Sequence, residues 1–398
     1  GSLNTGGAER HLIQVLPGIK RRGYDVAVFT LKEKGDLSEI LEEDDISIIA
    51  PSFPNVFFMF PTVVKKVLML TWASSLFVRT LVNIKPDIIH FFLPESYLIG
   101  GLLSLPFRRS LRIMSRRSQN RYQRRYPFLA RLERWLHRRM DAILGNAGLV
   151  CSELLAEGAP ADRVGLIHNG IDIGPFEIAK QNSGFLRSSL GIGKDALVIS
   201  IVANLISYKG HIDLLQAMAH ISSNLQQPWY ILCIGKDNGI LDELKEKAAA
   251  LQISSNILWL GQRKDVPNLL HISDISVLAS HEEGASNAII EGMVSRLPMV
   301  VTDVGGARES VIDGKTGLIV PPSAPKLLGD AILALALDLD LRCKMGEAGH
   351  ECACEKFSLG FCVDQYARLY EGLVKTPNLP VSDILSPSPK RNLTICAV

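Results

Sequence analysis

The sequence lacks the cysteine spacing of a disulfide-stabilised protein and the long apolar run of a membrane-spanning one. Its 398 residues contain seven cysteines, an odd number without the spacing of a disulfide framework, and Cys352 and Cys354 lack partners at zinc-site spacing. No signal peptide opens the sequence. Its longest uncharged apolar run, Val67 to Val78, is too short to cross a bilayer. These absences predict reduced cysteines and a cytoplasmic location.

Several ligand-binding signatures are absent as well. No Gly-x-Gly-x-x-Gly lies between a predicted strand and a predicted helix, which argues against a dinucleotide-dependent oxidoreductase. Gly191 to Lys194 lacks the full spacing of a phosphate-binding loop, and Asp338 and Asp340 fall in a predicted helix rather than at the end of a strand. We therefore expect neither a bound metal ion nor a cofactor.

The composition is that of a globular protein. Hydrophobic residues make up 47% of the chain, whose length exceeds one typical hydrophobic core, so two domains of roughly 170 to 200 residues are expected. The net charge is only +2, but residues 1–172 carry 23 lysines and arginines against 17 acids, whereas residues 173–398 carry 20 against 24. The two halves therefore have opposite charge.

Short apolar runs rich in β-branched residues alternate with helical patterns, which is typical of βαβ units and a parallel sheet. The predicted strands of the first half are 25–31, 46–50, 87–92, 112–115, 142–146 and 163–167. Those of the second half are 196–203, 230–235, 256–261, 274–279 and 299–303. The fold class predicted from this pattern is α/β, with two doubly wound, Rossmann-like parallel-sheet domains.

The domain boundaries follow from changes in composition. A polar, glycine-containing segment suits a hinge between the domains, and a stretch rich in proline and serine predicts a disordered tail. The expected parts are an N-terminal domain at 1–173, a linker at 174–195, a C-terminal domain at 196–356, a helix at 357–375, and the tail at 376–398. Gly6 comes before a full strand can form, so we expect the first strand to be missing or truncated, as in a fragment.

Two carboxylates, Glu283 and Glu291, stand eight positions apart across the start of an apolar-periodic helix. Small residues between them, including Ala285 and Ser286, leave the helix N-terminus open to an anion. In a continuous helix the two carboxylates would be ~12 Å apart, further than a glycosidase acid and base at roughly 5 to 9.5 Å. They more plausibly hold different ends of one phosphate-bearing ligand, and the alternative is an ordinary amphipathic helix.

Three further loops lie between a strand and a helix, where open α/β sheets bind ligands. Gly6 and Gly7 open the first helix, and glycine lets the backbone approach a ligand closely. Lys209 follows the strand at 196–203 and can reach a phosphate. Gly305 and Gly306 follow the strand at 299–303. Plain helix capping and a solvated loop lysine are the alternatives for these motifs.

The segment Arg108 to Arg139 contains twelve arginines and one acid, Glu133, interleaved with aromatic residues. A basic, aromatic stretch of this kind can dock on an anionic membrane surface. No nucleic-acid-binding module is recognisable, so nucleic acid is not an expected partner. The alternative is a solvated charged face.

Taken in order, these motifs resemble the family 4 (group 1) retaining glycosyltransferases of GT-B fold. The resemblance extends over nearly residues 3 to 375. It rests on Gly6-Gly7-Ala8-Glu9, Asn169-Gly170-Ile171-Asp172, Lys209-Gly210-His211, Glu283 to Glu291, Gly305-Gly306 with Glu309, and Gly314 to Val320. It implies that the two domains face a cleft and that a nucleotide-diphosphate sugar, a UDP-sugar in preference to a GDP-sugar, donates its sugar to a glycan or lipid-linked acceptor.

The resemblance also implies roles for matching residues. Glu283 would stabilise positive charge at the anomeric carbon, and Glu291 would hold the ribose hydroxyls. Lys209 would neutralise the donor diphosphate with the backbone amides of Ala285, Ser286 and Asn287. Gly6 and Gly7 would pass close to the donor phosphates and the acceptor. The C-terminal helix at 357–375 would pack back on the N-terminal domain. No metal ion is required for this arrangement, because a lysine and a helix N-terminus can carry the charge of the leaving group.

Two positions depart from the family pattern. Asn204 stands where many members have an arginine, so either Lys209 would act with an arginine from elsewhere or donor binding would be weaker. Asn204 and Arg263 are themselves predicted to contact the donor. Arg117 stands near a position where many members have a histidine close to the transferred sugar, which makes it a possible donor or acceptor contact. A sugar-nucleotide epimerase of the same fold and a catalytically silent scaffold remain the alternative functions.

Overall fold

A computed structural model describes Leu3, Gln123 and residues 7–117, 126–179 and 183–386. The chain divides into two compact units. Unit 1 comprises Gly1–His168 and Cys362–Val398, and unit 2 comprises Asn169–Phe361. The chain therefore leaves unit 1 once and returns to it near its C-terminal end.

Unit 1 contains short parallel strands separated by helices. Its strands are β1 (Ala27–Phe29), β2 (Ser47–Ile49), β3 (Ile88–Phe91), β4 (Leu111–Arg116), β5 (Ala142–Gly145) and β6 (Val164–Leu166). Its first helices are α1 (Gly7–Arg21), α2 (Ser38–Glu43), α3 (Thr62–Ile84), α4 (Pro94–Ser104), α5 (Pro127–His137) and α6 (Gly148–Ala156). A short 3-10 helix at Asn55–Met59 precedes α3.

The strands of unit 1 form two parallel sheets. β1 pairs with β2, and β3 to β6 form a four-stranded sheet in sequence order. The buried faces of β4 and β5 include Ile113, Ile143 and Leu144. Because the strands are parallel, their carboxyl ends lie along one edge of the sheet, where His90 of β3 meets Ser115 of β4.

Unit 2 contains a larger sheet. Its strands are β7 (Leu197–Val202), β8 (Trp229–Ile234), β9 (Ile257–Gly261), β10 (Ile275–Leu278), β11 (Met299–Thr302) and β12 (Gly317–Val320). Its helices are α7 (Gly174–Ala179), α8 (Ser183–Ser189), α9 (His211–Ile221), α10 (Leu241–Ala250), α11 (Val266–His271), α12 (Asn287–Val294), α13 (Ala307–Ser310), α14 (Pro325–Leu337) and α15 (Leu339–Phe357). Helix α16 (Leu359–Lys375) begins in unit 2 and continues into unit 1, where α17 (Val381–Leu385) follows.

The six strands of unit 2 are parallel and ordered β12-β11-β10-β7-β8-β9. This is a doubly wound order, in which the chain starts at the centre and winds outward in both directions. Alternate residues of β7 enter different cores, since Ile199 and Ile201 pack with α9 while Val198 packs near Leu269 and Ile272. Both faces of the sheet are therefore covered, as the continuous apolar strands indicate.

The α/β fold class predicted from the sequence is confirmed, and every predicted strand overlaps an observed one. The apolar pattern of the sequence does not predict strand β12, Gly317–Val320. It pairs with β11 at the edge of the sheet through Met299 and Gly317. A short strand at an edge carries little hydrophobic periodicity of its own.

The predicted linker at 174–195 is not a free hinge where the structure describes it. It includes α7 and α8, and Ile192 is buried against unit 2. The Arg187 guanidinium donates to the backbone oxygen of Ile272 at 2.9 Å and to Asp274 Oδ2 at 3.0 Å. These long-range contacts fix a segment whose local composition is polar and weakly periodic.

The predicted disordered tail is wrong for residues 381–385. This segment forms α17, which packs on β6 with Val381, Ile384 and Leu385 buried. A Cβ at Gly165 of β6 would lie 2.5 Å from the Val381 side chain, so the glycine makes room for the helix. Residues 387–398 of the predicted tail lie outside the described part of the chain.

Helix α3 is long and apolar enough to cross a membrane by length and composition alone. Only 17% of its most apolar 18-residue window is buried within the protein. The sequence predicts no membrane span here because Lys65, Lys66 and Arg79 interrupt the apolar residues. The structure instead joins these interrupted runs into one continuous helix of 23 residues.

Candidate functional site

The carboxyl ends of β7 and β10 bring together the two residues with a predicted catalytic role. The strand order reverses at β7, and open α/β sheets bind ligands at such a point. Lys209 follows β7 and Glu283 follows β10, and Lys209 Nζ lies 2.5 Å from Glu283 Oε1. The two side chains are only 18% and 11% exposed. The fold thus forms a largely buried ion pair from residues 74 positions apart.

Two hydroxyl groups position the Glu283 carboxylate. Ser280 Oγ donates to Glu283 Oε1 over 2.8 Å, and Thr302 Oγ1 donates to the backbone oxygen of Ser280 over 2.5 Å. Both residues are buried. Neither was predicted as a site residue, although Ser280 follows β10 and Thr302 ends β11. A polar residue at the carboxyl end of a buried strand was the available signal.

A second polar pair connects the same loops. His281 Nε2 lies 2.7 Å from Asp213 Oδ2 of α9, and the backbone amide of His281 donates to the oxygen of Tyr208 over 2.7 Å. Besides the Lys209–Glu283 pair, these two contacts join the loop after β10 to the loop after β7 and to the first turn of α9. This pair was also missed, because nothing in the sequence links positions 213 and 281.

Two glycines allow the backbone to close around the ion pair. Gly210 has a φ of 69°, and a Cβ there would lie 1.8 Å from the Ala279 oxygen. Gly305 has a φ of 55°, and a Cβ there would lie 2.1 Å from the Glu283 oxygen. These positions require glycine because an L side chain rarely adopts such a φ and has no room. A side chain at either position would displace the loop that carries Lys209 or Glu283.

The segment predicted to bind phosphate leads into α12. Ser286 precedes the helix, and its side chain makes no capping hydrogen bond. The first backbone amides of α12, which have no acceptor within the helix, are therefore not capped by Ser286. Asn287 Oδ1 accepts a hydrogen bond from Asn169 Nδ2 over 2.8 Å. Ala285 and Ser286 are half-buried. A helix N-terminus of this kind favours an anion.

Glu291 lies one turn into α12 and is half-buried. The helix begins at Asn287, so the residues between Glu283 and the helix are not helical. The separation of ~12 Å that a continuous helix would give to the two carboxylates therefore does not apply. The physical reason is local, because Gly284 accepts a hydrogen bond from the Gly306 amide over 2.9 Å and is held in a loop.

Two further predicted donor-binding residues have other partners. Asn204 follows β7, and its Oδ1 accepts from the backbone amide of Lys236 over 3.1 Å. Arg263 follows β9 and makes two hydrogen bonds of 2.7 Å with Asp265. β9 lies at the sheet edge, two strands from β7. Among the described residues, no hydrogen bond or ion pair joins Arg263 to Lys209, so the role of Arg263 in donor binding stays a prediction.

In unit 1, polar side chains of β3 and β4 gather near the carboxyl ends of these strands. His90 Nδ1 lies 2.9 Å from Tyr370 Oη, and His90 Nε2 lies 2.8 Å from Ser115 Oγ. His11 Nε2 of α1 lies 3.1 Å from Tyr366 Oη. The sequence favours a packed or capping role for His90, and its stacking on Phe92 at 4.1 Å agrees with that interpretation.

Arg117, which the sequence suggests as a donor or acceptor contact, belongs to this polar group. It makes a side-chain hydrogen bond with Tyr366 and carries its charge close to His11 and His90. Gly7 begins α1, which also carries His11, whereas Gly6 lies outside the described residues. Gly7 and Arg117 therefore both belong to unit 1. Their contacts with a ligand stay predictions.

Two family models match the chain. The model for glycosyl transferases group 1 matches residues 182–351, and the model for glycosyltransferase family 4 matches residues 5–174. The chain belongs to this glycosyltransferase family. The two matches correspond to the C-terminal and N-terminal halves that the ordered motifs indicate, and both predicted catalytic residues fall within the first match.

Curated relatives of this family are similar over part of the chain. An N-acetyl-alpha-D-glucosaminyl L-malate synthase from Bacillus anthracis is 24% identical over 63% of this chain and 64% of its own length. A UDP-Gal:alpha-D-GlcNAc-diphosphoundecaprenol alpha-1,3-galactosyltransferase from Escherichia coli is 29% identical over 36% and 38%. The chain thus spans between 38% and 64% of the length of these two relatives.

Solved structures confirm the fold more completely. Anabaena Alr3699/HepE in complex with UDP aligns with a TM-score of 0.78 at 21% identity, covering 92% of this chain and 97% of that one. The same protein in complex with UDP-glucose aligns with a TM-score of 0.73 at 20% identity, over 93% and 97%. At this identity the likeness shows the GT-B fold alone.

The arginine-rich segment of this glycosyltransferase is partly internal. The buried Arg116 makes hydrogen bonds of 2.7 to 2.8 Å to Glu157 and Glu133, and Gln123 Nε2 lies 2.8 Å from Glu133 Oε2. Burial acts to raise the pKa of Glu157, but hydrogen bonds from His137 and Arg116 hold it at about 2. The arginines of the segment that are exposed are Arg108, Arg109, Arg131, Arg134 and Arg138, and Arg121, Arg124 and Arg125 lie outside the described residues.

The half-buried His90 and the buried His11 make the stability of unit 1 depend on pH. Burial, and then the charge of Arg117, lowers the pKa of His90 from 6.5 to about 3. Burial is also the main cause that lowers the pKa of His11 well below 6.5. As pH falls below 6.5 the unfolded chain therefore binds protons that the folded unit does not. This contribution to stability is fully present above pH 6.5 and is lost as pH falls toward 3.

We expect the free energy of unfolding to fall by up to about 1.4 kcal/mol per pH unit for each of these histidines below roughly pH 6. Thermal denaturation of the whole chain at a series of pH values measures this decline. The variant His90→Gln should decline less steeply, because one titrating group is gone. His220→Gln, at an exposed position in α9, is the matched control and should follow the wild type. Equal slopes in all three proteins would contradict the assignment.

Proposed function

We propose that the protein is a retaining, metal-independent glycosyltransferase of the hexosyltransferase type. It transfers a sugar from a nucleotide-diphosphate sugar to a glycan or lipid-linked acceptor in the biosynthesis of a cell-surface polysaccharide or glycolipid. The observation that carries the proposal is the Lys209–Glu283 ion pair at the point where the strand order of unit 2 reverses. A cation for the diphosphate and a carboxylate for the reacting sugar thereby occupy one loop cluster.

The charges of the pair suit the two ends of the reaction. Lys209 can neutralise the charge that develops on the leaving diphosphate, assisted by the open N-terminus of α12. Glu283, held by Ser280, can stabilise positive charge at the anomeric carbon. Glu291 in the same helix would hold the ribose. This division of roles needs no metal ion to balance the leaving group.

The donor is proposed to be a UDP-sugar. The Escherichia coli relative is named for a UDP-galactose donor, and HepE, which has the same fold, was solved with UDP and with UDP-glucose. The reaction is proposed to take place on the cytoplasmic side, where the six described cysteines would stay reduced. The five exposed arginines of the Arg108–Arg139 segment would face anionic lipid at the inner membrane surface.

Thermal denaturation with UDP, GDP and ADP tests the nucleotide part of this proposal. A nucleotide present at 100 times its dissociation constant stabilises the folded state by about 2.7 kcal/mol, so UDP should raise the Tm by several degrees and the other two by less. The shift should persist in EDTA. If no nucleoside diphosphate raises the Tm, the proposal fails and a catalytically silent scaffold is favoured.

Product analysis tests the reaction itself. With a UDP-sugar and no acceptor, a glycosyltransferase gives no product or slow hydrolysis, whereas an epimerase gives the epimeric sugar nucleotide. With an acceptor, the anomeric configuration of the product, read from its proton coupling constant, should match that of the donor. An epimeric sugar nucleotide or an inverted product would contradict the proposed reaction.

A further inference from the structure

We propose that unit 1 docks on an anionic lipid bilayer through one apolar surface, here called the apolar ridge, made of residues 55–72. It comprises the 3-10 helix Asn55–Met59 and the first three turns of α3. This inference concerns membrane attachment and goes beyond glycosyl transfer. It adds an apolar contact surface to the five exposed arginines of the Arg108–Arg139 segment, which the proposed function already places against anionic lipid.

The apolar ridge exposes large hydrophobic side chains close together. Met59 is 83% exposed and Val63 is 75% exposed. The other exposed apolar residues of the ridge are Val56, Phe58, Phe60, Val64, Val67, Leu70 and Trp72. A protein that stays in water rarely leaves an apolar patch of this extent uncovered. The ridge therefore requires an apolar partner.

Charge around the ridge selects a lipid with anionic headgroups. The sequence contains no aspartate or glutamate between Asp45 and Asp87, a stretch that includes the whole of α3. The charged residues of α3 are Lys65, Lys66 and Arg79, all cationic. Lys65 Nζ lies 5.4 Å from the centre of the Phe58 ring, so a cation borders the apolar side chains. This combination of basic and apolar residues is typical of helices that lie in the membrane interface.

Contacts within the ridge hold its shape. Trp72 Nε1 donates to the backbone oxygen of Ser52 over 3.1 Å, and the rings of Phe57 and Trp72 meet edge to face at 6.0 Å. The 3-10 helix and α3 are thereby fixed to each other. Tryptophan and phenylalanine are also residues that lie readily at the boundary between headgroups and acyl chains.

The second half of α3 sets the depth of insertion. Ala73, Phe77 and Leu81 are buried in unit 1, and the Phe77 ring lies 5.0 Å from that of Phe29. The eleven residues from Thr62 to Trp72, which precede these buried positions, extend ~16 Å. A bilayer core is ~30 Å thick, so this length cannot span it. The ridge lies in one leaflet at a depth of about 5 to 10 Å.

Flotation with lipid vesicles tests the proposal on the full chain. The wild type should float with vesicles that contain phosphatidylglycerol and float less with pure phosphatidylcholine vesicles. The double variant Met59→Glu, Val63→Glu places acids on two exposed side chains, and its partition coefficient on the anionic vesicles should fall at least about tenfold. The matched control is the double variant Leu337→Glu, Leu339→Glu in unit 2, where the two leucines are 60% and 61% exposed. This variant should bind the vesicles as the wild type does.

Sedimentation of the same proteins without lipid separates the membrane from a second copy of the chain as the partner. The proposal predicts that the wild type and the double variant have the same mass in solution. A wild-type dimer that the double variant dissociates, or equal vesicle binding by wild type and double variant, would overturn it. The shift of Tm with UDP is measured in parallel and should be unchanged, so loss of attachment is distinguished from failure of the nucleotide site.

Discussion

Replacing Glu283 by glutamine should lower kcat by about 10²- to 10³-fold while UDP still binds. Glutamine keeps the size of the side chain and the hydrogen bond to Ser280, but it removes the negative charge that would face the anomeric carbon. The loss of one such stabilising group typically costs about 2.7 to 4 kcal/mol of transition-state stabilisation. Lys209 loses its partner in the same change and becomes available to the diphosphate, so affinity for UDP should be equal or higher.

Steady-state kinetics and a UDP titration of the same preparation measure both effects. Glu282→Gln is the matched control, because Glu282 is the adjacent glutamate and its side chain is exposed. It should retain the wild-type kcat. Comparable kcat values for Glu283→Gln and the wild type would show that the carboxylate does not act on the reacting sugar.

Replacing Lys209 by methionine should weaken UDP binding by about 10- to 100-fold. A hydrogen bond to a charged group contributes about 1.5 to 3 kcal/mol, and Lys209 is the described cation that unit 2 holds at the reversal of strand order. The kcat should fall as well, because charge on the leaving diphosphate is no longer neutralised. The effect on UDP thus has the opposite direction from that of Glu283→Gln.

Isothermal titration with UDP measures this loss, and Lys315→Met is the control because Lys315 is exposed in the turn before β12. Lys209→Arg keeps the charge, but its planar group fits the loop differently, so it should recover binding only in part. Unaltered UDP affinity in Lys209→Met would place the nucleotide elsewhere. The Tm of each variant shows whether the unpaired Glu283 has destabilised unit 2.

The sequence predicts those site residues that directly follow a predicted strand. Lys209, Glu283 and Gly305 each follow a strongly apolar strand, and parallel strands end at one edge of a sheet. The alternation of apolar runs and helical patterns therefore predicts that Lys209, Glu283 and Gly305 lie at the same edge of the sheet. It predicts the fold as well, because the buried strands of unit 2 are nearly continuous apolar runs.

The parts that the sequence did not predict depend on contacts between distant segments. Ser280 and the pair of His281 with Asp213 become recognisable only when the loops after β7 and β10 meet. Helix α17 is also not predicted, because its apolar residues are buried only by packing against Gly165 of the distant strand β6. Likewise Arg116 stands in a run of arginines but is neutralised by Glu133 and Glu157. Local composition carries no information about such partners.

The central position of β7 also sets the order in which unit 2 can fold. β7 pairs with β8 on one side through Ile199 and Ile231, and with β10 on the other through Ile199 and Ile275. The first pairing closes a short loop, whereas the second must bring together residues more than twice as far apart in the chain, which is slower. The ion pair of Lys209 and Glu283 forms only with the second pairing. A chain caught early in refolding would therefore contain β7 and β8 but have no place for a nucleotide, and recovery of UDP binding would report the late step.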